Sequence, residues 1–482
     1  MLSIFTYLSK HQFFIRQRVS HSKPRVAGYF GNTRESYRAI AIVISLCWII
    51  ANTAQAQPKP EQSREDKTET KHDSGWPEKL GPAEIQTGAG TIRLAFTAQL
   101  LATDLNKDMG KGKERDNSFE VEPRRIRWYL KSRFLDDRLK VELQINTVPK
   151  SLEILDFWGQ YHLLDQVQIR LGQTKEPFTR YRQQSFSSSL LAEWANETQY
   201  FGADRQLGLM LHNSDAKPRF EYALAIFSGQ NLRKSQAVEV ANAIYCEKIP
   251  SASFLPRESS ISVDEWHPEI ELRVQHNSPD ADPYNPSDAE RTGFRHVESL
   301  SVAWDNVANL HTVGGRDIDR AVGQEATRDM MLRLSPEVLL KAYGLSVIAN
   351  FYLGVSRMTQ SAENDLAMLG VVAETAYRFD RFWEIAARFS RVDFSGELRR
   401  DAADRAAAII DAEENDAARE ALANQYRNAG VLKADQEVTL GLTVYVVGND
   451  LKWQTDASWL RQYRESDDRD DYRARTQMQV GF

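Results

Sequence analysis

From Thr91 onward the chain falls into segments of about ten residues in which apolar and polar side chains alternate, with turn-forming clusters between them. A period of two sends successive side chains to opposite faces of a strand. In residues 123–134, Ile126, Trp128, Leu130 and Phe134 share one face, while Arg125, Arg127, Tyr129, Lys131 and Arg133 share the other. At the end of the chain Tyr472, Ala474, Thr476, Met478, Val480 and Phe482 alternate with Arg473, Arg475, Gln477 and Gln479. A soluble sandwich has no need of a basic inner face. A closed cylinder does, because its charges stay hydrated in the lumen while the apolar face meets lipid. The pattern predicts an all-β fold, a transmembrane antiparallel β-barrel of about sixteen strands, with Phe482 in an aromatic girdle at the lipid boundary.

Connection lengths test this reading. If the first strand rises from the periplasm, connections from even to odd strands must be short, and Asp136-Asp137, Leu164-Asp165, residues 213–217, Ser335-Pro336, Asp380 and Gly448-Asn449-Asp450 comply. Stretches after Thr174, Ser228, Asn306, Ser356, Phe394 and Gln462 are then the longer external ones. Residues 277–294 break the rule: they are long and fall on the periplasmic side, so either the strand count differs there or one inner loop is extended. Residues 396–430 are Ala-rich, carry charges at i,i+4 spacing and end at Gly430, a C-cap residue. They predict a helical insertion in a late external loop, either a solvated surface helix or part of the mouth. Trp128, Trp383, Trp453 and Trp459 sit at outward parity, as girdle residues would.

Ahead of the barrel, residues 1–56 read as a signal peptide with a long n-region: Arg38 precedes an apolar run, and Ala54-Gln55-Ala56 is a small-x-small cleavage site. An extended n-region and a start codon called too early both account for the basic stretch at the beginning. Residues 57–87, rich in Pro, Glu, Lys and Asp, predict a flexible periplasmic linker, and the barrel then spans 88–482. Removal of the leader takes Cys47 with it and leaves Cys246, so no intramolecular disulfide is expected.

Composition narrows the class. A hydrophobic share of 42% with a mean hydropathy of -0.51 is too polar for a helical membrane protein, and beyond the leader no apolar run suits a spanning helix. The net charge of -6 and the lack of a concentrated basic patch speak against a nucleic-acid partner. No Gly-rich phosphate cradle, His-Glu-x-x-His, Cys-x-x-Cys or Gly-x-Ser-x-Gly is present, so neither catalysis nor a cofactor or metal is expected. His162, His212 and His296 are assigned to the hydrated lumen or to loops.

One long loop, residues 175–204, is rich in hydroxyl and aromatic side chains and follows the fifth strand. In trimeric porins the third external loop occupies this place and folds inward. The runs Leu155-Asp156-Phe157-Trp158-Gly159-Gln160-Tyr161, Ile169-Arg170-Leu171-Gly172-Gln173-Thr174-Lys175-Glu176-Pro177-Phe178 and Asp204-Arg205-Gln206-Leu207-Gly208-Leu209-Met210-Leu211-His212 resemble the phosphate-selective porin O/P family. The likeness extends more weakly from Arg124-Arg125-Ile126-Arg127 to Phe482.

The resemblance implies a homotrimer of outer-membrane barrels, each with its own anion pore, embedded in outer-membrane lipid and lipopolysaccharide of a Gram-negative bacterium. By motif position it assigns Arg124 and Arg125 to the paired arginines of the second strand, Asp156 to the acid opening the fourth, and Lys175 to the lysine before Glu-Pro-Phe. Arg180 and Arg182 follow on the inward loop. With the lumen cations Arg127, Lys131, Arg133, Arg473 and Arg475 they complete the candidate anion-binding set, guanidinium forks being suited to oxyanions. Glu176 and Glu193 on the same loop would offset part of that attraction. The expected function is passive diffusion of small anionic solutes, phosphate-like oxyanions among them. The alternatives are a general diffusion porin without anion selectivity, a barrel-embedded enzyme, and an envelope-anchoring or adhesion barrel.

Overall fold

The computed structural model describes residues 81–148, 151–164, 166–195, 198–201, 205–216, 218–228, 268–308, 312–313, 316–317, 328–358, 366–396, 407, 410–411, 415–429, 431–465 and 467–482. The signal peptide, residues 57–80 of the expected linker, Cys246 and Gly430 lie outside the described residues.

The strands are β1 (Ala83–Thr87), β2 (Gly90–Lys107), β3 (Asp116–Phe134), β4 (Leu139–Val148), β5 (Ser151–Leu164), β6 (Val167–Lys175), β7 (Arg205–His212), β8 (Phe220–Phe227), β9 (Glu269–Asn277) and β10 (Arg295–Ala308). A two-residue hairpin, β11 (Thr312–Val313) and β12 (Arg316–Asp317), stands apart. Then follow β13 (Arg328–Ala342), β14 (Leu345–Met358), β15 (Leu366–Arg378), β16 (Trp383–Phe394), β17 (Leu432–Val447), β18 (Leu451–Arg464) and β19 (Arg469–Gly481). From β2 to β10 and from β13 to β19 each strand pairs antiparallel with the next, and β19 pairs back onto β2, closing a ring of sixteen.

Closure is staggered. β19 covers the edge of β2 from Thr97 to Asn106, and β1 takes the same edge from Gly90 to Leu94. Where the two meet, Phe96 and Phe482 exchange reciprocal backbone hydrogen bonds of 3.0 Å. Residues 83–87, expected in the linker, therefore extend the sheet, since an edge left bare by the end of β19 needs a partner for its N–H and C=O groups.

The two-residue rhythm sorts the side chains as expected. Ile126, Trp128 and Leu130 face outward while Arg125 and Arg127 are buried within. Phe482 lies beside Phe96, which also contacts Trp128 with ring centroids 4.6 Å apart, in an aromatic cluster on the outer face. Trp383 and Trp453 are exposed outward, and Trp459 shares their parity. Among the described residues no helix is long and apolar enough to cross a membrane; crossing falls to the strands.

One expectation about connections needs correction, and one open alternative is decided. Ser335-Pro336 is no turn: β13 runs straight through it, with Pro336 opposite Leu300. The missing proline N–H coincides with a break in the β13–β14 ladder between Leu334 and Glu337. The turn comes later, at Tyr343-Gly344, where both residues adopt positive φ (51° and 95°), as a tight hairpin demands. The ambiguity at 277–294 resolves to an extended inner loop, because β9 and β10 are paired neighbours.

The connection from β16 to β17 contains the expected helical insertion. Its described helix, Asp416–Ala429, starts at Asn415, whose side-chain oxygen accepts from the Ala418 N–H at 3.0 Å as an N-cap does.

Candidate functional site

The connection from β6 to β7 folds into the barrel. Its first turn is a short helix, α1 (Arg180–Gln183), capped by the Thr179 side chain, which accepts from the Arg182 N–H. A single 3-10 turn (Phe186–Ser188) and a second short helix, α2 (Thr198–Phe201), follow. On one side of the loop Phe178, Tyr181, Tyr200 and Phe201 pack against Tyr352, Val372, Val392 and Phe394 of the wall. Leu190 and Leu191 pack against Val297, Leu339, Ile348 and Ala376. The inner face of β10 and β13 to β16 thus carries apolar side chains among its polar ones, where a purely aqueous lumen was expected. They are there because the loop covers them. Gly370 of β15 makes the fit possible: a Cβ at that position would lie 2.5 Å from the Phe201 ring.

Polar contacts tie the loop down around its rim. The Arg180 backbone N–H donates to Glu337 at 2.8 Å, Tyr181 Oη to Glu374 at 2.7 Å, and Tyr200 Oη to Asp435 at 3.1 Å. The Ala192 N–H donates to Asp456, while Lys452 and Gln454 both donate to the Ser189 carbonyl. Arg388 donates to the Glu193 carbonyl at 2.9 Å and to Glu437 at 2.6 Å. Glu337 is also paired with Arg273, Glu374 and Glu437 with Arg388, and Asp456 with Arg475, which is how a low-dielectric interior tolerates these charges.

The inner loop enters from the opposite rim and meets the first. Tyr284 donates to Glu221 at 2.6 Å, Asp288 pairs with Arg295 and accepts from the Gly344 N–H, and Ser287 donates to Glu384. Arg180 of the external loop donates to the Pro283 carbonyl, so the two loops touch inside the barrel.

The residues singled out from sequence are all described, and the structure sorts them. Arg124 and Arg125 both end on Glu193, at 2.6 and 2.7 Å. Burial alone would raise the Glu193 carboxyl, but Arg125 and Arg124 outweigh it and hold it well below the usual carboxylate range. Arg127 lies over the Phe186 ring at 4.1 Å, and Arg182 over Trp194 at 4.6 Å. Asp156 is engaged by Arg205 through both carboxylate oxygens at 3.0 Å, and Arg475 grips Asp456 in the same two-pronged way. Lys175 donates to the Gln184 carbonyl at 3.0 Å within the loop, and Arg473 lies 3.4 Å from Glu437. Lys131 and Arg133 remain half-exposed, near Glu142 and Asp137.

Lys131 and Arg133 open onto a cleft of about 250 Å³ on the β2 to β6 side, away from the packed half. Its lining holds five cationic side chains, Arg93, Lys131, Arg133, Lys140 and Arg170, against two carboxylates, Glu142 and Asp215. Glu84 of β1 also pairs with Arg93. Trp158 forms one wall, with the Arg170 guanidinium 4.1 Å from its ring centroid. Arg93, Lys140 and Arg170 escaped the sequence reading, although each lies at inward parity on its strand. His162 faces inward beside Asp215, and His212 is buried beside Gln160. His296, expected in the lumen or a loop, instead lies on the outer parity of β10, between the buried Arg295 and Val297.

No family model matches the sequence. No curated protein matches it either. Solved structures do share its fold. The outer membrane channel DcaP of Acinetobacter baumannii superposes with a TM-score of 0.50 at 9% identity, over 83% of this chain and 100% of that one. OprB of Pseudomonas putida gives 0.48 at 11% identity, over 82% and 94%, and an anion-selective porin from Comamonas acidovorans gives 0.46 at 11%, over 82% and 100%. At such identities the likeness concerns architecture. A closed antiparallel cylinder with an apolar exterior pairs its backbone groups from strand to strand, and the fold is that of outer-membrane β-barrels.

Proposed function

We propose that the chain is a porin, through which small solutes diffuse passively across the outer membrane, with anions preferred over cations. The observation that carries the reading is the cleft on the β2 to β6 side, away from the packed loop, where the cations Arg93, Lys131, Arg133, Lys140 and Arg170 outnumber the carboxylates Glu142 and Asp215 that line it. An anion entering a narrow passage loses hydration, and guanidinium and ammonium groups replace those lost contacts. Several moderate sites suit conduction better than one tight one, since a permeating ion must also leave. Lys131, Arg133 and Arg170 are the residues assigned to this work, Lys140 being held by Asp215. Arg124, Arg125 and Arg475 attract less than their number suggests, because Glu193 and Asp456 neutralise them. Phosphate-like oxyanions are the proposed solute class, the reaction chemistry is nil, and the assembly is a homotrimer.

A barrel whose interior is closed, serving the envelope as an anchor, is the competing reading; the solid packing of the external loop against the β13 to β16 wall favours it. Single-channel recording in planar bilayers, with chloride, phosphate, a carboxylate and a neutral sugar, separates the two. Stable conductance that falls when phosphate competes with chloride supports an anion pore. Silence from trimeric, correctly folded protein supports the anchor.

A further inference from the structure

The outer face of the barrel carries a group of side chains with no place in solute passage. His276, the penultimate residue of β9, points outward and lies directly opposite Glu298 of β10; His296 sits two residues before Glu298 on the same face. The two imidazole rings have centroids 5.6 Å apart, and His296 Nε2 is 3.9 Å from Glu298 Oε1. One ligand atom from each of the three lies within 4.8 Å of the others. Around them the outward positions are apolar: Leu272 and Val274 on β9, Leu300 on β10, with Phe294 5.6 Å from His296. A carboxylate and two imidazoles on a lipid-facing band are costly unless they have a partner. Their position beside the inner loop, next to an aromatic residue, puts them at the membrane boundary, where an aqueous ion can reach them.

We propose that His276, His296 and Glu298 form a binding site for a divalent transition-metal ion of the Zn²⁺ class at the periplasmic rim of the barrel. Two His and one Glu are a recognised zinc donor set, with the fourth position left to water. At metal–ligand distances near 2.1 Å a tetrahedral ion needs donors about 3.4 Å apart. The exposed side chains of His276 and Glu298 need only small rotamer adjustments to close from the present spacing. Cross-strand placement supplies the rest, since paired residues on one face of an antiparallel ladder are held within reach of a shared ligand. Calcium and magnesium are poor fits, because they ask for more oxygen donors than one carboxylate offers.

The test is calorimetric titration of zinc chloride into the untagged full-length mature protein in detergent, after EDTA treatment and gel filtration. One saturable zinc per chain is expected, with affinity reduced by about tenfold or more in Glu298→Gln and binding lost in the double variant His276→Ala/His296→Ala. Affinity should also weaken on acidification, because imidazole ligates only when neutral. Unchanged heat-modifiable mobility on gels establishes that the variants fold. Absence of saturable zinc binding to the wild type, or binding of equal strength and stoichiometry in the double variant, overturns the assignment.

Discussion

Arg124 and Arg125 are consecutive residues on a β-strand, yet both reach the same carboxylate, Glu193. Alternation would send them to opposite faces. A β-bulge prevents this: Gln99 pairs with Arg125 and Leu100 with Pro123, leaving Arg124 as the extra residue. The kink aims both guanidinium groups at the external loop, so a motif legible as paired lumen cations is, in three dimensions, a clamp on that loop.

Glu193→Gln removes the charge that both arginines grip. It should leave two cations unneutralised inside the barrel and loosen the loop, raising anion preference. The expected outcome is a zero-current potential displaced toward the chloride equilibrium value relative to wild type. An unchanged potential would mean that this clamp lies outside the conducting path.

The same clamp sets a pH dependence. Because Arg125 and Arg124 depress the Glu193 carboxyl below its ordinary value, the folded state binds its proton less readily than the unfolded chain. Its stabilisation is therefore complete above the ordinary carboxylate pKa of about 4.3 and fades only as pH falls toward the lowered value. The stability difference between wild type and Glu193→Gln should stay flat from neutrality to that point and shrink at more acid pH. Thermal melts of the two proteins across the pH series measure it, and a difference that fades already near neutrality would refute the assigned direction.

Asp156 and Arg205 are both almost fully buried and make a two-pronged ion pair. Asp156→Asn removes the counter-charge of the buried Arg205 guanidinium and should destabilise the barrel by roughly 3–5 kcal/mol. Replacing both residues with apolar ones of similar volume should recover most of that loss. Gel mobility against heating temperature reads both variants; a single variant as stable as wild type would show that the guanidinium finds water or another partner.

Gly370 has no room for a side chain against Phe201. Gly370→Val should lower the melting temperature by forcing the Phe201 ring off Tyr352, on which it stacks at 5.2 Å. Adding Phe201→Ala should relieve part of the defect. Additive losses in the double variant would place the steric conflict elsewhere.

Much of the architecture is legible in the sequence because lipid imposes a strict two-residue alternation, and a strand slipped by one residue would turn charges outward. Strand number follows from that alternation and from turn chemistry, the late helix from Ala-rich composition and i,i+4 charges, and the inward loop from its place in the resemblance to trimeric porins. Pro336 misled because a proline reads as a break, whereas the strand carries it at the cost of a ladder gap. The pairing of Asp156 with Arg205, the clamp on Glu193 and the apolar packing of Phe201 are contacts between residues distant along the chain. Local pattern holds no record of them. It gives the face on which Arg93, Lys140 and Arg170 sit, but not that the loop packs elsewhere and leaves these cations beside open space.

The most direct test of an anion-preferring passage along the β2 to β6 wall is the zero-current potential of the wild-type channel under a KCl gradient in a planar bilayer. The potential should have the sign set by chloride and move toward zero when Lys131 and Arg133 are both replaced by Gln. A potential of the sign set by potassium, or bilayers that stay silent with folded protein present, would contradict it.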